Sequence, residues 1–172
     1  MIPQFLKARR AALIGLTFAL GAGCALTAYA QNAPAPAAAG GANAARAAVG
    51  VRKAIFTLIG SNFRPLGALL KDGGPYDAAD VNKRITRVLF LSGLLNEAFP
   101  DISNVGEPDS KAKPEIWTNR ADFEKKLKEF QDNLVVLSDV NAREKGYTES
   151  VKVALGAVAQ NCKSCHDDYK LK

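Results

Sequence analysis

The chain has 172 residues, 48% hydrophobic and 23% charged, proportions that suit one soluble domain and exclude a disordered polymer or a multidomain assembly. Three cysteines, one histidine and one methionine leave few side chains able to bind a soft metal or act as a nucleophile. The formal charge of +6 does not point to nucleic acid, because Lys7, Arg9 and Arg10 fall in a removable leader, the rest balances to +3, and no block of Lys and Arg follows.

Those three cations precede Ala11 to Thr27, a run without charge that ends in Ala28-Tyr29-Ala30, the small-x-small pattern read by signal peptidase. This predicts a signal peptide over 1–30, cut after Ala30, and a periplasmic product with no membrane attachment. Two alternatives stay open. The run approaches the roughly 20 residues that span a bilayer, so it also suits an uncut anchor, although Gly21 and Gly23 oppose this. Cys24 suits lipidation, although Gly21 stands where such signals want an apolar residue. In an oxidising compartment the remaining thiols must be paired or captured. Residues 31–43, nearly all Ala, Pro and Gly with Pro34 and Pro36 set against an early helix, read as a linker before a domain over 44–172.

Four stretches then carry apolar residues at alternating spacings of three and four, the mark of helices with one buried stripe. The first holds Val51, Ile55, Leu58, Ile59, Phe63, Leu66 and Leu70. The second holds Val81, Ile85, Val88, Leu91 and Leu95, with Asp77 or Asp80 as N-cap. The third runs Phe123, Leu127, Phe130, Leu134 and Leu137, opened by Thr118 or Asn119. The fourth runs Val151, Leu155, Val158, Cys162, Cys165 and Tyr169, starting near Thr148. No segment reads as a strand, and turn chemistry falls between the stretches at Asp72-Gly73-Gly74-Pro75, Pro100 to Pro114 and Gly146. The pattern predicts an all-α fold, an antiparallel up-and-down four-helix bundle. The loop from Pro100 to Pro114 is longer than a bundle turn needs, as if it covers something.

The last helix contains Cys162-Lys163-Ser164-Cys165-His166, the C-x-x-C-H pattern of c-type haem attachment. Positions three and four apart share a helical face, so both sulfurs reach one porphyrin while His166 meets its iron. Other readings of these residues are weaker. A redox dithiol normally opens a helix after a strand, and structural zinc wants four ligands where three Cys and His residues remain. A lone histidine is more often a core residue, but not directly after such a cysteine pair. With Met1 the only methionine and no second histidine, neither common sixth ligand is on hand. This predicts one covalent haem c with five-coordinate, high-spin iron. A lysine or tyrosine ligand would need a dedicated pocket.

With these residues in view, the chain resembles cytochrome c prime. The resemblance rests on Val51-Arg52-Lys53-Ala54 through Thr57-Leu58, Pro75-Tyr76-Asp77-Ala78-Ala79, Pro114-Glu115-Ile116-Trp117, and the run from Cys162 to Lys170. It implies a bacterial periplasmic haem protein, usually a homodimer through the first two helices, that binds NO and CO but scarcely O2. It implies that Arg52 pairs with a haem propionate and Lys53 with a propionate or the haem edge, the alternative for each being a solvated cation. Phe56 falls where the family places a residue over the open iron face, the alternative being core packing. Lys111 matches a haem-edge contact loosely, and Lys170, four residues after His166, matches a basic residue of the proximal pocket or a solvated cation. Two departures are Asn96, where some members carry tryptophan, and Pro65 inside the first helix, where a kink would alter the dimer face.

These readings predict a haem protein that is not an enzyme, binding NO and CO or carrying electrons to an unidentified redox partner. The rivals are a six-coordinate low-spin shuttle of the same bundle, which the missing methionine opposes, and a peroxidase or NO reductase, for which Phe56 offers no acid or base.

Overall fold

The computed structural model describes residues 36–172 except 107 and 109. The predicted signal peptide, its cut after Ala30, Cys24 and the first residues of the predicted linker lie outside that set. The helices are α1 (Pro36–Asp72), α2 (Ala78–Leu94), the four-residue α3 (Glu115–Thr118), α4 (Arg120–Glu144) and α5 (Glu149–Tyr169), with two 3-10 turns at Leu95–Glu97 and Asp101–Ser103.

The first helix begins earlier than the composition suggested. Pro36 opens it rather than blocking it, because a first-turn residue needs no backbone N–H and alanine is the strongest helix former. From residue 40 onward, Ala45 is the first buried residue of the helix. The stripe of α1 holds at Ile55, Ile59 and Leu66, with Phe63 and Leu70 packed against the core, but two expected residues lie outside it. Val51 and Leu58 are 58% and 50% exposed, while Ala45, Val49, Arg52, Ile55, Ile59, Leu66 and Leu69 are buried. An arginine at an interior position breaks the apolar period, which is why the pattern misled. Helix α1 runs through Pro65 without a break; Pro65 leaves only the carbonyl of exposed Ser61 without its usual donor, and water can serve it.

The other three stripes match expectation closely. In α2, Val81, Ile85, Val88 and Leu95 just beyond it are buried and Leu91 is half-buried; in α4, all five expected apolar residues are buried. Asp77 caps α2 by accepting from the backbone N–H groups of Ala79 and Asp80, and Thr148 caps α5 by accepting from Val151. Asn119 precedes α4 without a side-chain cap bond. Gly73 and Gly74 take φ of 69° and 129°, left-handed values that let α1 end and turn into α2 at no steric cost.

Each long helix packs on two neighbours, α1 on α2 and α5, and α4 on α2 and α5. With the order of the chain this closes an up-and-down four-helix bundle. Its centre is dry: Ile85, Val88, Leu134, Leu137, Leu155, Val151 and Val158 are all under 2% exposed. The stretch from Pro100 to Pro114 closes one end. Its last residues run antiparallel to the C-terminus, with Lys113 N–H donating to Tyr169 O at 3.0 Å and Leu171 N–H to Lys111 O at 2.8 Å.

Candidate cofactor site

The last turns of α5 carry Cys162, Cys165, His166 and Tyr169 on neighbouring positions of one helical side. Both cysteines are free thiols and half-buried. Burial pushes the Cys162 thiol up to about 11, with Cys165 adding to it. Burial also raises Cys165, against a pull downward from Lys126. By surface His166 is exposed, yet the protein around its ring removes enough water to lower its basicity, and Lys170 lowers it further. The neutral imidazole, with a lone pair to offer a metal, is therefore favoured.

Two cavities meet at this segment. One, of about 220 Å³, brings together Arg52, Lys53, Phe56, Lys111, Cys165, His166 and Lys170, with Phe99, Ile116, Phe123 and Tyr169 among its walls. The second, of about 400 Å³, is lined by Cys162, Cys165 and His166 from α5, by Phe56, Ile59, Phe63 and Arg64 from α1, and by Phe123, Lys126 and Phe130 from α4. Phe56, Phe123, Cys165 and His166 belong to both. Every residue expected from the sequence to hold or edge the haem thus lines one cavity or the other.

Arg52 is the most constrained of them. It is 3% exposed, so it is not a solvated helix cation. Its Nη1 donates to Ser103 Oγ at 2.8 Å and Ala98 O at 3.4 Å, and its Nη2 to Ser110 Oγ at 2.8 Å and Ser103 O at 3.4 Å. The guanidinium carbon lies 4.8 Å from the Phe99 ring centre and 5.7 Å from that of Trp117. Burial lowers its pKa from the usual arginine range, and the ring of acceptors offsets the cost of placing it there. Lys53, Lys111 and Lys170 are exposed on the cavity wall, and Lys111 Nζ donates to Lys172 O at 2.6 Å. Phe56 is 40% exposed, a wall of both cavities rather than a core residue. Asn96 sits in the 3-10 turn after α2, near Gln131 Nε2 at 3.5 Å.

A profile of the cytochrome C' family matches residues 47–170. The chain belongs to that family. Cytochrome c' of Alcaligenes xylosoxydans xylosoxydans is 37% identical to it over 125 residues, which covers 73% of this chain and 94% of the relative. The fold agrees with a mutant of cytochrome c prime from Alcaligenes xylosoxidans in its nitric oxide complex, at a TM-score of 0.65 and 35% identity over 74% of this chain and 96% of that one. It also agrees with a variant of cytochrome c prime from the same organism bound to carbon monoxide, at 0.63 and 36%, over 73% and 94%.

Cytochrome c' proteins carry covalently bound c-type haem, and the residues present suit it. Two unpaired thiols and an imidazole share one helical side, the cavities beside them are walled by aliphatic and aromatic side chains, and cations gather at the smaller one. Cys162 and Cys165 would hold the group, and His166 would ligate its iron.

Sequence reasoning missed several residues of the site. Ser103 and Ser110 are 0% and 4% exposed and bond to a residue 51 and 58 positions away, so no local signal marks them. Lys126 and Asp122 had a signal, four apart on the helix whose apolar stripe was plain. Lys126 Nζ meets Asp168 Oδ2 at 3.0 Å, and the Tyr169 hydroxyl donates to Asp122 Oδ2 at 2.6 Å. Both pairs tie α4 to the haem-motif end of α5.

Proposed function

We propose that this member of the cytochrome c' family is a periplasmic haem c protein with five-coordinate, high-spin iron that binds NO and CO and passes electrons to a redox partner. The observation that carries this reading is the inventory of donors. His166 is the single histidine and Met1 the single methionine of the chain. Of the lysines and tyrosine at the cavities, Lys126 is held by Asp168, which raises its pKa and keeps it protonated, the Tyr169 hydroxyl is held by Asp122, and Lys53, Lys111 and Lys170 are exposed to water. The paired Lys126 ammonium carries no lone pair, and the Tyr169 hydroxyl would have to give up its proton and its bond to Asp122 to become a good ligand.

A c-type haem supplies an iron that changes between ferrous and ferric and takes a small diatomic ligand. In this reading Cys162 and Cys165 retain it, His166 binds the iron, Arg52 sets positive charge where a propionate would lie, and Lys53, Lys111 and Lys170 line the same opening. Phe56 excludes water and offers no donor to a bound ligand, which favours NO and CO over O2. It also offers no acid or base, so the reading is a carrier and gas binder rather than an enzyme. Among the described residues no helix is long and apolar enough to cross a membrane; the periplasmic assignment rests on the predicted leader.

The homodimer is assigned to the outer face of α1 and α2. Val51, Leu58, Phe90 and Leu94 are 58%, 50%, 70% and 44% exposed there, and Leu58 and Phe90 line one groove with Arg84 and Arg87. A groove that pairs exposed Leu58 and Phe90 with a charged rim suits contact with another protein surface.

The ferric optical and EPR spectra of the purified holoprotein test the reading. A high-spin spectrum that shifts on adding NO or CO is expected, and a pure low-spin, six-coordinate spectrum overturns it in favour of the electron shuttle.

A further inference from the structure

The bond between Tyr169 and Asp122 has no part in holding or filtering a ligand, yet it lies against the cofactor site. Tyr169 follows His166 by three residues, lines the same cavity as Cys165 and His166, and is 4% exposed. Its hydroxyl donates to Asp122 Oδ2 at 2.6 Å and accepts from Asn119 Nδ2 at 3.4 Å. We propose that Tyr169 is a redox-active tyrosine, which gives one electron to the haem when a hydroperoxide oxidises it and passes its phenolic proton to Asp122.

The chemistry sets three requirements, and the tyrosines of the described segment can be ranked by them. A phenol that loses an electron becomes a strong acid, and in a dry site it cannot keep the positive charge, so a base must already be hydrogen-bonded to it. The donor must lie beside the cofactor, and the radical must be shielded from solvent. Tyr169 meets all three. Tyr76 donates to the neutral Asn141 Oδ1 and Tyr147 to the backbone carbonyl of Leu69; neither has a carboxylate to take the proton, and neither lines the cavities. Tyr29 lies outside the described residues. Trp117, half-buried, donates its indole N–H to Pro100 O at 3.3 Å, again a neutral acceptor.

The step balances as follows. Reduction of hydrogen peroxide to two waters consumes two electrons and two protons. The iron gives one electron and Tyr169 the other. The Tyr169 O–H bond breaks, its proton forms a new bond to Asp122 Oδ2, and a neutral phenoxyl radical remains beside a neutral carboxylic acid; the two protons for water come from solvent. The rings around Tyr169 shield the radical, since Phe123 lies 5.3 Å from it and Phe99 4.8 Å beyond, and neither benzene ring is oxidised by a tyrosyl radical. An oxidising equivalent taken up by Tyr169 is thus removed from the haem before it damages the macrocycle.

This inference rests on the open iron face proposed above, because peroxide must reach the metal. The test is freeze-quench EPR of the ferric holoprotein mixed with hydrogen peroxide, read together with the haem optical band. The optical change reports access to the iron wherever the radical resides, so the two ideas fail separately. A tyrosyl signal is expected in the wild type, with at least a several-fold loss in Tyr169→Phe and no loss in Tyr76→Phe or Tyr147→Phe. Asp122→Asn, which keeps the shape but removes the base, is expected to lose the signal several-fold, and Asp122→Glu to restore it. Should Tyr169→Phe fail to fold, wild-type protein carrying ring-deuterated tyrosine and the Asp122 pair still decide the matter. An equal signal in Tyr169→Phe and wild type overturns the proposal, as does an equal signal in Asp122→Asn, or a wild type that reacts optically and yields no tyrosyl signal. A wild type without any optical change also overturns this inference, and the open iron face is then decided separately by the ferric spectrum and its response to NO and CO.

Discussion

Arg52 on α1 donates to Ser110 Oγ at 2.8 Å across 58 residues of chain, so one buried cation fixes the position of the loop that closes the cavity. The loop has little apolar surface of its own to bury against the bundle. Arg52 takes that role with its bonds to Ser103, Ser110 and Ala98, and the same side chain lines the cofactor cavity.

Ser110→Ala is therefore expected to leave a donor of a buried guanidinium unmet, at about 1.5–3 kcal/mol for a bond to a charged group. Arg52→Ala removes all of them and is expected to cost more. Urea unfolding of the holoprotein measures both. A loss under about 0.5 kcal/mol for either, the range of ordinary surface changes, would show that the loop is held by something else.

The bundle was legible in the sequence where burial is purely apolar. Phe123, Leu127, Phe130, Leu134 and Leu137 repeat at helical spacing and are all buried. On α1 it was legible at Ile55, Ile59 and Leu66 but misread at Val51, Leu58 and Arg52, because the interior accepts Arg52 and leaves the other two outside. A charged side chain can occupy an interior position only with distant acceptors, and Ser103 and Ser110 carry no local mark. In the site, the covalent motif was legible because its spacing is dictated by helix geometry and thioether chemistry. The pairing of Lys126 with Asp168 and of Tyr169 with Asp122 was not, since each joins two facing helices.

Leu134 is 0% exposed at the centre of the bundle. Leu134→Ala is expected to cost about 2–5 kcal/mol through lost burial and the cavity left behind. Thermal unfolding of the holoprotein checks this, and a cost near zero would mean that the four helices collapse around the gap.

The Tyr169 phenol sets a pH dependence. Burial, reinforced by its bond to Asp122, raises its pKa above the ordinary value of 10.0. An acid whose folded pKa is raised stabilises the fold fully below its unfolded pKa and loses that contribution as pH climbs toward the folded value. Stability is thus expected to hold up to about pH 10, where an unfolded tyrosine ionises, and to fall above it. Tyr169→Phe should flatten that fall. An unfolding series between neutral and alkaline pH decides it, and identical slopes in both proteins would contradict the assignment.

The row Val51, Leu58, Phe90 and Leu94 predicts a dimer that charge can split. Phe90 is 70% exposed, so its replacement leaves the fold within about 0.5 kcal/mol. Leu58→Lys with Phe90→Lys adds like charges beside Arg84 and Arg87 on both copies of a symmetric interface. Sedimentation equilibrium is expected to give a dimer for the wild type and a monomer for the double variant, with unchanged haem spectra. A wild-type monomer at micromolar concentration would remove the dimer from this account.

Phe56 offers the sharpest probe of ligand access. It is the one α1 residue that lines both cavities, and its ring sits 6.2 Å from Phe99 with one side open to solvent. In the proposed reading, an aromatic ring there would have to move before a diatomic ligand approached the iron from that side, at a cost in packing against Phe99. Phe56→Ala removes the ring, and because Phe56 lies outside the buried core the bundle should tolerate the change. The CO association rate, followed by flash photolysis or stopped flow, is expected to rise about tenfold or more, equivalent to about 1.4 kcal/mol or more off the barrier. Phe56→Leu should fall between the two. An unchanged rate in Phe56→Ala would show that another side chain guards the iron, with Ile59 and Phe63 on the next turns of α1 the first to try.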